Sequence, residues 1–406
     1  MAKPGTPGTP TTPTALGGLR VLDLSRILAG PWCAMILGDL GAEVIKVESP
    51  GHGDDTRLFG PPFQDGESAY FQAANRNKKS LVVDLKSIEG QGIIRELAAG
   101  ADVVIENFRN GQMEKFGLGL GDLRAANPKL ITCSISGYGR ESPMAERAGY
   151  DFMIQAESGL MSIIGEPDGD PMKVGVAISD LITGNNAAQA VLAALLARHN
   201  TGRGQHIDMA LLDCQVAALA NVASAYLMTG EAPDRQGNAH SAVAPYEPFK
   251  TADEPIALAI GNNRQFAALC EALGLIELAS DPRYADNALR VKNRATLAPA
   301  LEAVFITDGR DGWLQKLHAA GLPAGAIRTI DEVLESPEIA ARGMIHDIDH
   351  PAMGKTKLLG SPLKLSGTPV IAPQAPPTLG QHTVEVLTGV LGWEQGKAEA
   401  YAERLG

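Results

Sequence analysis

The sequence predicts an α/β fold: a parallel sheet covered by helices on both faces, followed by a smaller unit of strands and helices. Two observations carry this. Short β-like runs alternate with helix-like stretches between residues 20 and 136, the order that builds parallel sheets through helical crossovers. The 406 residues are 45% apolar and 20% charged, which lets the chain bury a sizeable core in two or three domains.

Each element has a local cause. Residues 20–24 (RVLDL) are β-like, and Pro31 then opens a helical stretch, PWCAMILGDLG. Residues 43–48 (EVIKVE) form the next strand. Residues 81–85 (LVVDL), the helical IEGQGIIRELAAG and residues 102–107 (DVVIEN) read as strand, helix and strand, and residues 130–136 (LITCSIS) add another strand. Residues 181–199 carry apolar positions at helical spacing until Asn200-Thr201-Gly202 stops them. A second long helix is expected over 211–228. Composition changes near Gly230, and residues 246–250 and 255–260 read as strands of a smaller unit, with short helices to about Ile330. From Gly343 the chain is extended and proline-rich, ending in helices near 383–391 and 394–404.

Composition excludes several classes of function. A net charge of −12 argues against nucleic acid or an anionic membrane as the main partner. Cys33, Cys133, Cys214 and Cys270 are widely spaced, with no CxxC pair, and read as small buried residues of a reducing compartment. No apolar run reaches the roughly 18 residues that cross a membrane. The first fourteen residues lack a signal-peptide core and read as a disordered tail. The expectation is a soluble, cytoplasmic protein.

Familiar site motifs are missing. There is no GxGxxG after a strand, no P-loop, no GxSxG and no HExxH, and the eight histidines have no ligand spacing. No metal site is expected. The glycine-rich residues 117–123 follow a helix signal and read as a loop. What remains is Asp180, set between an apolar run and the long helix, where helix N–H groups and the dipole favour negative charge. Position alone leaves it open whether Asp180 is an N-cap or a nucleophile, and capping would keep its carboxylate ionised. Asp151 stands in the first turn of a helix starting near Tyr150. The segment Arg76-Asn77-Lys78-Lys79, with Lys86, Arg109, Lys115 and Arg147, offers charge for a phosphate or carboxylate ligand. Ligands of such folds bind beyond the C-terminal strand ends, where Arg26, Glu48, Lys86 and Asn107 fall.

Several segments, in order, carry a resemblance: GLRVLDLSRILAGP, LGDLGAEVIKVESPGHGDDTR, NRNKKSLVVDL, DVVIENF, GYDFMIQAESGLM, VGVAISDLITG, RHNTGRGQHIDMALLD and PTLGQHT. Together they resemble the class III CoA-transferases, a family that also holds the α-methylacyl-CoA racemases, over Gly17 to about Leu387. The resemblance implies a Rossmann-like large domain with a smaller inserted α+β domain, and an interlocked homodimer. The large domain would take residues 15–229 and 336–406, the small one 230–335, after a tail over 1–14. It implies acyl-CoA and small carboxylic acids as substrates, with no tightly bound cofactor.

The resemblance also assigns residues. Asp180 matches the family's catalytic aspartate, which forms an aspartyl anhydride and then an aspartyl-CoA thioester. Leu28, Ala29, Val83, Asp84, Leu85, Lys86, Asn107, Phe108, Arg109, Lys115, Arg147 and Tyr150 match positions along CoA. Asp151 matches an acid that orients a loop, here 240–244 beginning at His240. This loop lacks the glycine run of the formyl-CoA enzymes and Leu28 replaces their glutamine, which points away from formyl-CoA or oxalate. Racemases carry a histidine where Tyr150 stands, and a phenol of pKa about 10 is a poor base at neutral pH. A 2-methylacyl-CoA racemase is therefore the alternative and a transferase the main reading. GDDTRLFGPPF, NRNKKS, GNAHSAVAPYEPF and GNNRQFA resemble the dicarboxylate group typified by succinyl-CoA:glutarate CoA-transferase. Arg57, Arg76 and His240 are the candidates for a distal carboxylate. Glutarate, hydroxymethylglutarate, malate, itaconate and 3-sulfinopropionate all remain open as acceptors.

Overall fold

The computed structural model describes residues 13–405, so the tail expected over 1–14 lies, through residue 12, outside the described residues. The chain divides into two units. One comprises the chain up to Leu160, then Val174–Ser224 and Pro337 onward; the other comprises Met161–Lys173 and Ala225–Ser336. Residues 161–173, expected in the large domain, thus join the second unit. Arg235 gives the reason: its guanidinium donates to the carbonyls of Ser162 (3.4 Å), Glu166 (3.2 Å) and Gly169 (2.6 Å), clasping that loop.

The first unit is built on six parallel strands in the order Lys78–Val82, Glu43–Glu48, Arg20–Asp23, Val103–Glu106, Ile131–Ser136 and His206–Ala210. Counted along the chain this is 3-2-1-4-5-6, the doubly wound order with its switch point between the first and fourth strands. Residues 43–48 and 130–136 are legible through β-branched residues such as Val44, Ile45, Val47, Ile131 and Ile135, although buried polar groups, among them Lys46 and Ser134, interrupt both runs. Helices Ala29–Asp39 and Ile178–Thr201 cover one face, joining Cys33, Leu37, Ala187 and Val191 to Val21, Val103 and Ile131. Helices Ile88–Ala99, Leu120–Ala126, Thr383–Gly389 and Gln395–Leu405 cover the other, around Ile45, Leu81, Ile94, Leu97, Val104 and Leu387. Each large side chain so buried contributes about 1.5–3 kcal/mol.

Some elements depart from expectation for identifiable reasons. The third strand starts at Lys78, three residues early, because Lys78 is fully buried yet satisfied: its Nζ donates to Asp23 (2.8 Å), Pro31 O (2.8 Å) and Asn75 (3.0 Å). The His206–Ala210 strand was not expected; it is an edge strand, half exposed, without an apolar run. The helix expected over 211–228 divides into Leu211–Ala218 and Ala220–Thr229 at Ala220, whose φ is +46°. Part of the loop expected over 117–123 is helical from Leu120. A hairpin, Ile345–His350 with Gly354–Leu359, occupies the stretch read as extended.

The second unit carries the antiparallel strands Tyr246–Phe249, Ile256–Ala259 and Ala324–Ala326 around a core of Phe249, Leu258, Phe266, Leu301, Phe305 and Trp313. Among the described residues no single helix is long and apolar enough to cross a membrane.

Candidate active site

The long helix begins at Ile178, so Asp180 is its third residue and not its cap. The capping role belongs to Asp151, the first residue of the helix Asp151–Glu157. Asp151 Oδ1 accepts the backbone N–H of Ser179 (2.8 Å) and, more distantly, that of Asp180 (3.4 Å). Its Oδ2 accepts from the amide of Gln155 (2.7 Å). Asp180 therefore keeps its own carboxylate free: buried, and without a hydrogen-bond partner among the described residues. Burial, seconded by the charge of Asp151, pushes its pKa up to about 7. This overturns the expectation that a cap would keep it firmly ionised.

Packing fixes where that carboxylate points. One turn past Asp180, Gly184 allows close contact with the helix Ala29–Asp39: a Cβ there would lie 2.7 Å from Ala29 O and 2.9 Å from the Trp32 ring. Leu28, the residue before that helix, is thereby brought to the same cavity as Asp180. The cavity holds about 190 Å³ and is also lined by Ala29, Asn107, Phe108, Arg109, Arg147 and Tyr150. Its far wall is a backbone crossing that only glycine permits, since a Cβ on Gly149 would sit 2.3 Å from Gly137 Cα.

A second cavity of about 400 Å³ is lined by Val83, Asp84, Leu85 and Lys86 and shares Arg26, Phe108 and Arg109 with the first. Both lie beyond the C-terminal strand ends, at the switch point. There Arg26 N donates to Asn107 Oδ1 (2.8 Å) and Asn107 Nδ2 donates to Arg26 O (2.7 Å), tying the exits of the first and fourth strands together. Ile27, next to this clasp, has φ +70°, a strained value for a β-branched residue, costing about 1–3 kcal/mol. Its N–H is held by Asp54 Oδ1 (3.2 Å). Burial alone would raise the Asp54 pKa, but Lys46 (2.8 Å) and the Thr56 donors bring it down to about 2.

The cavities are cationic. Arg26 faces Asp55 (3.4 Å), Arg147 pairs with Glu157 (2.6 Å) and Arg140 pairs with Glu106, while Arg109 and Lys86 have no ion-pair partner among the described residues. Such free cations suit phosphate or carboxylate oxygens. Among the described residues no group of three or more His, Cys, Asp or Glu is placed to hold a metal ion.

Not every expected residue is here. Lys115 ends the short helix Gln112–Lys115 and lines neither cavity. Arg57, expected to receive a substrate carboxylate, is instead spent on the buried Glu48 through two 2.8 Å bonds and on Pro377 O (3.0 Å), with its guanidinium stacked on Phe71. Arg76 is likewise spent on Asp39 (2.9 and 2.5 Å). Lys78 and Lys79 of the same basic segment pair with Asp23, and with Glu43 and Glu385. That segment is internal ion pairing and not a ligand surface. His240 lies in the second unit, where Arg294 donates to its carbonyl and its Nδ1 accepts from Ala242 N (3.0 Å).

A larger, apolar cavity of about 790 Å³, lined by Trp32, Ile36, Arg76, Leu192, Met344 and Leu358 among others, excludes Asp180. Its acids Asp39 and Glu67 are engaged by Arg76 and by Gln72. Size alone does not make it the site of chemistry. Sequence reasoning missed Arg140 and Gln155 near Asp180. Arg140 follows a strand end, and Gln155 stands four residues after Asp151 on one helix face; both positions were open to inspection.

Comparison with known proteins accords with this geometry. The family model described as CoA-transferase family III matches residues 16–383. The chain is 46% identical over 384 residues to the succinyl-CoA:glutarate CoA-transferase of Mus musculus, covering 95% of this chain and 88% of that one. It is 46% identical over 380 residues to the succinate–glutarate CoA-transferase of Agrobacterium fabrum, covering 92% and 94%. The crystal structure of a CaiB/BaiF family protein from Brucella suis superposes with a TM-score of 0.82 at 45% identity, over 96% of this chain and all of that one. With nearly its whole length matched, the chain belongs to CoA-transferase family III and is an enzyme of the CoA-transferase type.

Proposed function

We propose that the chain moves CoA from succinyl-CoA, or a similar acyl-CoA, to a dicarboxylic or dicarboxylate-like acid, with Asp180 as the nucleophile. The observation that carries this is the free, buried carboxylate of Asp180 on a cavity ringed by Arg26, Arg109, Arg140 and Arg147. The names of the relatives from Mus musculus and Agrobacterium fabrum support succinyl-CoA and glutarate as the pair to test first.

The chemistry closes without water or a second cofactor. The Asp180 carboxylate attacks the thioester carbonyl and expels CoA thiolate, leaving a mixed anhydride. The thiolate attacks the Asp180 carbonyl, forming an aspartyl-CoA thioester and releasing the first acid. The incoming acid's carboxylate then attacks this thioester, giving a new anhydride and thiolate. Attack of the thiolate on the acceptor's carbonyl yields the new acyl-CoA and restores Asp180. Only an ionised Asp180 can begin, and its weak solvation leaves it reactive. The cavity at Val83–Lys86 would take the nucleotide end of CoA, with Lys86 and Arg109 toward its phosphates.

The family resemblance also suggests an interlocked homodimer. Light scattering decides that point. The racemase alternative gains nothing: Tyr150, which stands where racemases carry a histidine, precedes the helix Asp151–Glu157 with an exposed ring.

The deciding experiment offers succinyl-CoA and a panel of acids, glutarate first, and detects the acyl-CoA product by mass. Asp180→Ala should abolish exchange, and hydroxylamine should trap acyl-Asp180 in the unmutated enzyme. Substantial transfer by Asp180→Ala would sink this mechanism.

A further inference from the structure

Asp180 is aimed by its helix, and the start of that helix hangs on one side chain that no relative's name points to. Gln155 is fully buried on the helix Asp151–Glu157. Its Nε2 donates to Asp151 Oδ2 (2.7 Å), while its Oε1 accepts the N–H of Val174 (2.9 Å). A longer contact runs from Nε2 to Val176 O (3.5 Å). The amide therefore binds, at one point, the acid that caps the long helix and the segment that leads into it. Gln215 completes the support from the far side, accepting from Ser179 Oγ (2.8 Å) while itself buried.

We infer that Gln155 is a positioning residue of the transfer reaction: its amide locks Asp151 and the Val174–Val176 approach so that Asp180 faces the thioester. This rests on the reading of Asp180 as nucleophile. An amide suits the task because it donates to a carboxylate on one side and accepts a backbone N–H on the other, while adding no charge. A buried ion in its place would act on Asp180 directly. The titratable groups around this helix start include Asp151, Asp180, Lys173 beside Val174, and Tyr70, whose phenol is raised by burial and by Asp180, Asp151 and Asp54.

The test uses Gln155→Met and Gln155→Glu in the full chain, with succinyl-CoA as donor and glutarate as acceptor. Gln155→Met removes donor and acceptor at similar volume. It should lower kcat by about ten- to a hundredfold, the value of a hydrogen bond to a charged group, while the KM for acyl-CoA stays within about twofold. Gln155→Glu lacks the N–H when ionised, but its protonated form can donate to Asp151 as the amide does. Its kcat relative to the unmutated enzyme should therefore rise as pH is lowered, with thermal midpoints recorded at each pH to show that it is folded. An unchanged kcat in folded Gln155→Met, a loss that falls on KM, or a flat pH ratio in Gln155→Glu would each overturn the assignment. Asp180→Asn, assayed alongside, separates the two ideas. Transfer surviving there removes the nucleophile reading itself; loss there beside an unaffected Gln155→Met removes only the positioning role.

Discussion

Asp151 Oδ1 accepts the N–H of Ser179 at 2.8 Å, so the helix that carries Asp180 is capped by an acid from a different helix. The division of labour matters. One carboxylate satisfies the backbone and the other stays free. Asp151→Ala should cost about 1–2 kcal/mol in urea unfolding, the usual loss of a cap. Asp151→Asn keeps an oxygen acceptor and most of that stability while deleting the charge. Because that charge helps to raise the Asp180 pKa, Asp151→Asn should move the acid limb of kcat/KM to lower pH. A limb that stays in place would show that burial alone sets it.

Asp180 also leaves a mark on stability. Its pKa in the folded chain is about 7, against roughly 3.9 when unfolded. Between those values the native state holds the extra proton, so stability should fall as pH rises, by on the order of 4 kcal/mol in all. Asp180→Asn cannot ionise and should lack this slope. Thermal midpoints of the two proteins should agree near pH 4 and diverge by pH 8, with the variant higher. Parallel curves across that range would refute the raised pKa.

With Asp180 as the proposed nucleophile, the kcat/KM of the unmutated enzyme should fall about tenfold per pH unit below about 7, since only its ionised form would attack. Assays of exchange from pH 5.5 to 9 read this directly, and activity that is flat down to pH 5 would speak against it.

Lys78 and Asp23 form a buried pair at 2.8 Å beneath the strand ends. Burial outweighs the attraction of Asp23 and brings the Lys78 pKa down to about 8. Lys78→Met strands the Asp23 carboxylate and should cost about 3–5 kcal/mol, whereas Lys78→Met with Asp23→Leu should recover most of it. Equal losses in the single and double variants would mean that packing around the lysine stem dominates.

Arg57 and Arg109 should part company. Arg57→Met leaves the buried Glu48 unpaired and should lower the thermal midpoint without changing the KM of the acid substrate. Arg109→Met, at a cation without an ion-pair partner among the described residues, should raise the KM for acyl-CoA with little change in stability. The converse pattern would return Arg57 to the substrate.

Glu43–Glu48 was read to the residue because β-branched Val44, Ile45 and Val47 mark a strand even with the buried Lys46 and Glu48 among them. Lys78 and the His206–Ala210 edge escaped because one is a satisfied buried charge and the other a half-exposed strand. The glycine crossing at 137 and 149, and the clasp between Arg26 and Asn107, depend on tertiary approach and leave no local periodicity. Asp180 was legible as a helix-start acid, but its neutral-range pKa was not. That value needed the knowledge that Asp151, and not Asp180, takes up the helix N–H groups. Arg57 and Arg76 misled for the opposite reason: charge is visible in a sequence, while its partner 9 or 37 residues away is not.

The two strand-end cavities share only Arg26, Phe108 and Arg109. A substitution at Val83 or Leu85 touches one chamber, and a substitution at Ser136 or Ala145 touches the other. On the proposed placement of acyl-CoA, selection could redraw the acyl end of the substrate while the handle end is inherited intact. On such a scaffold new acid specificities would arise by local drift, and the proposed grip on the carrier would have no need to be reinvented.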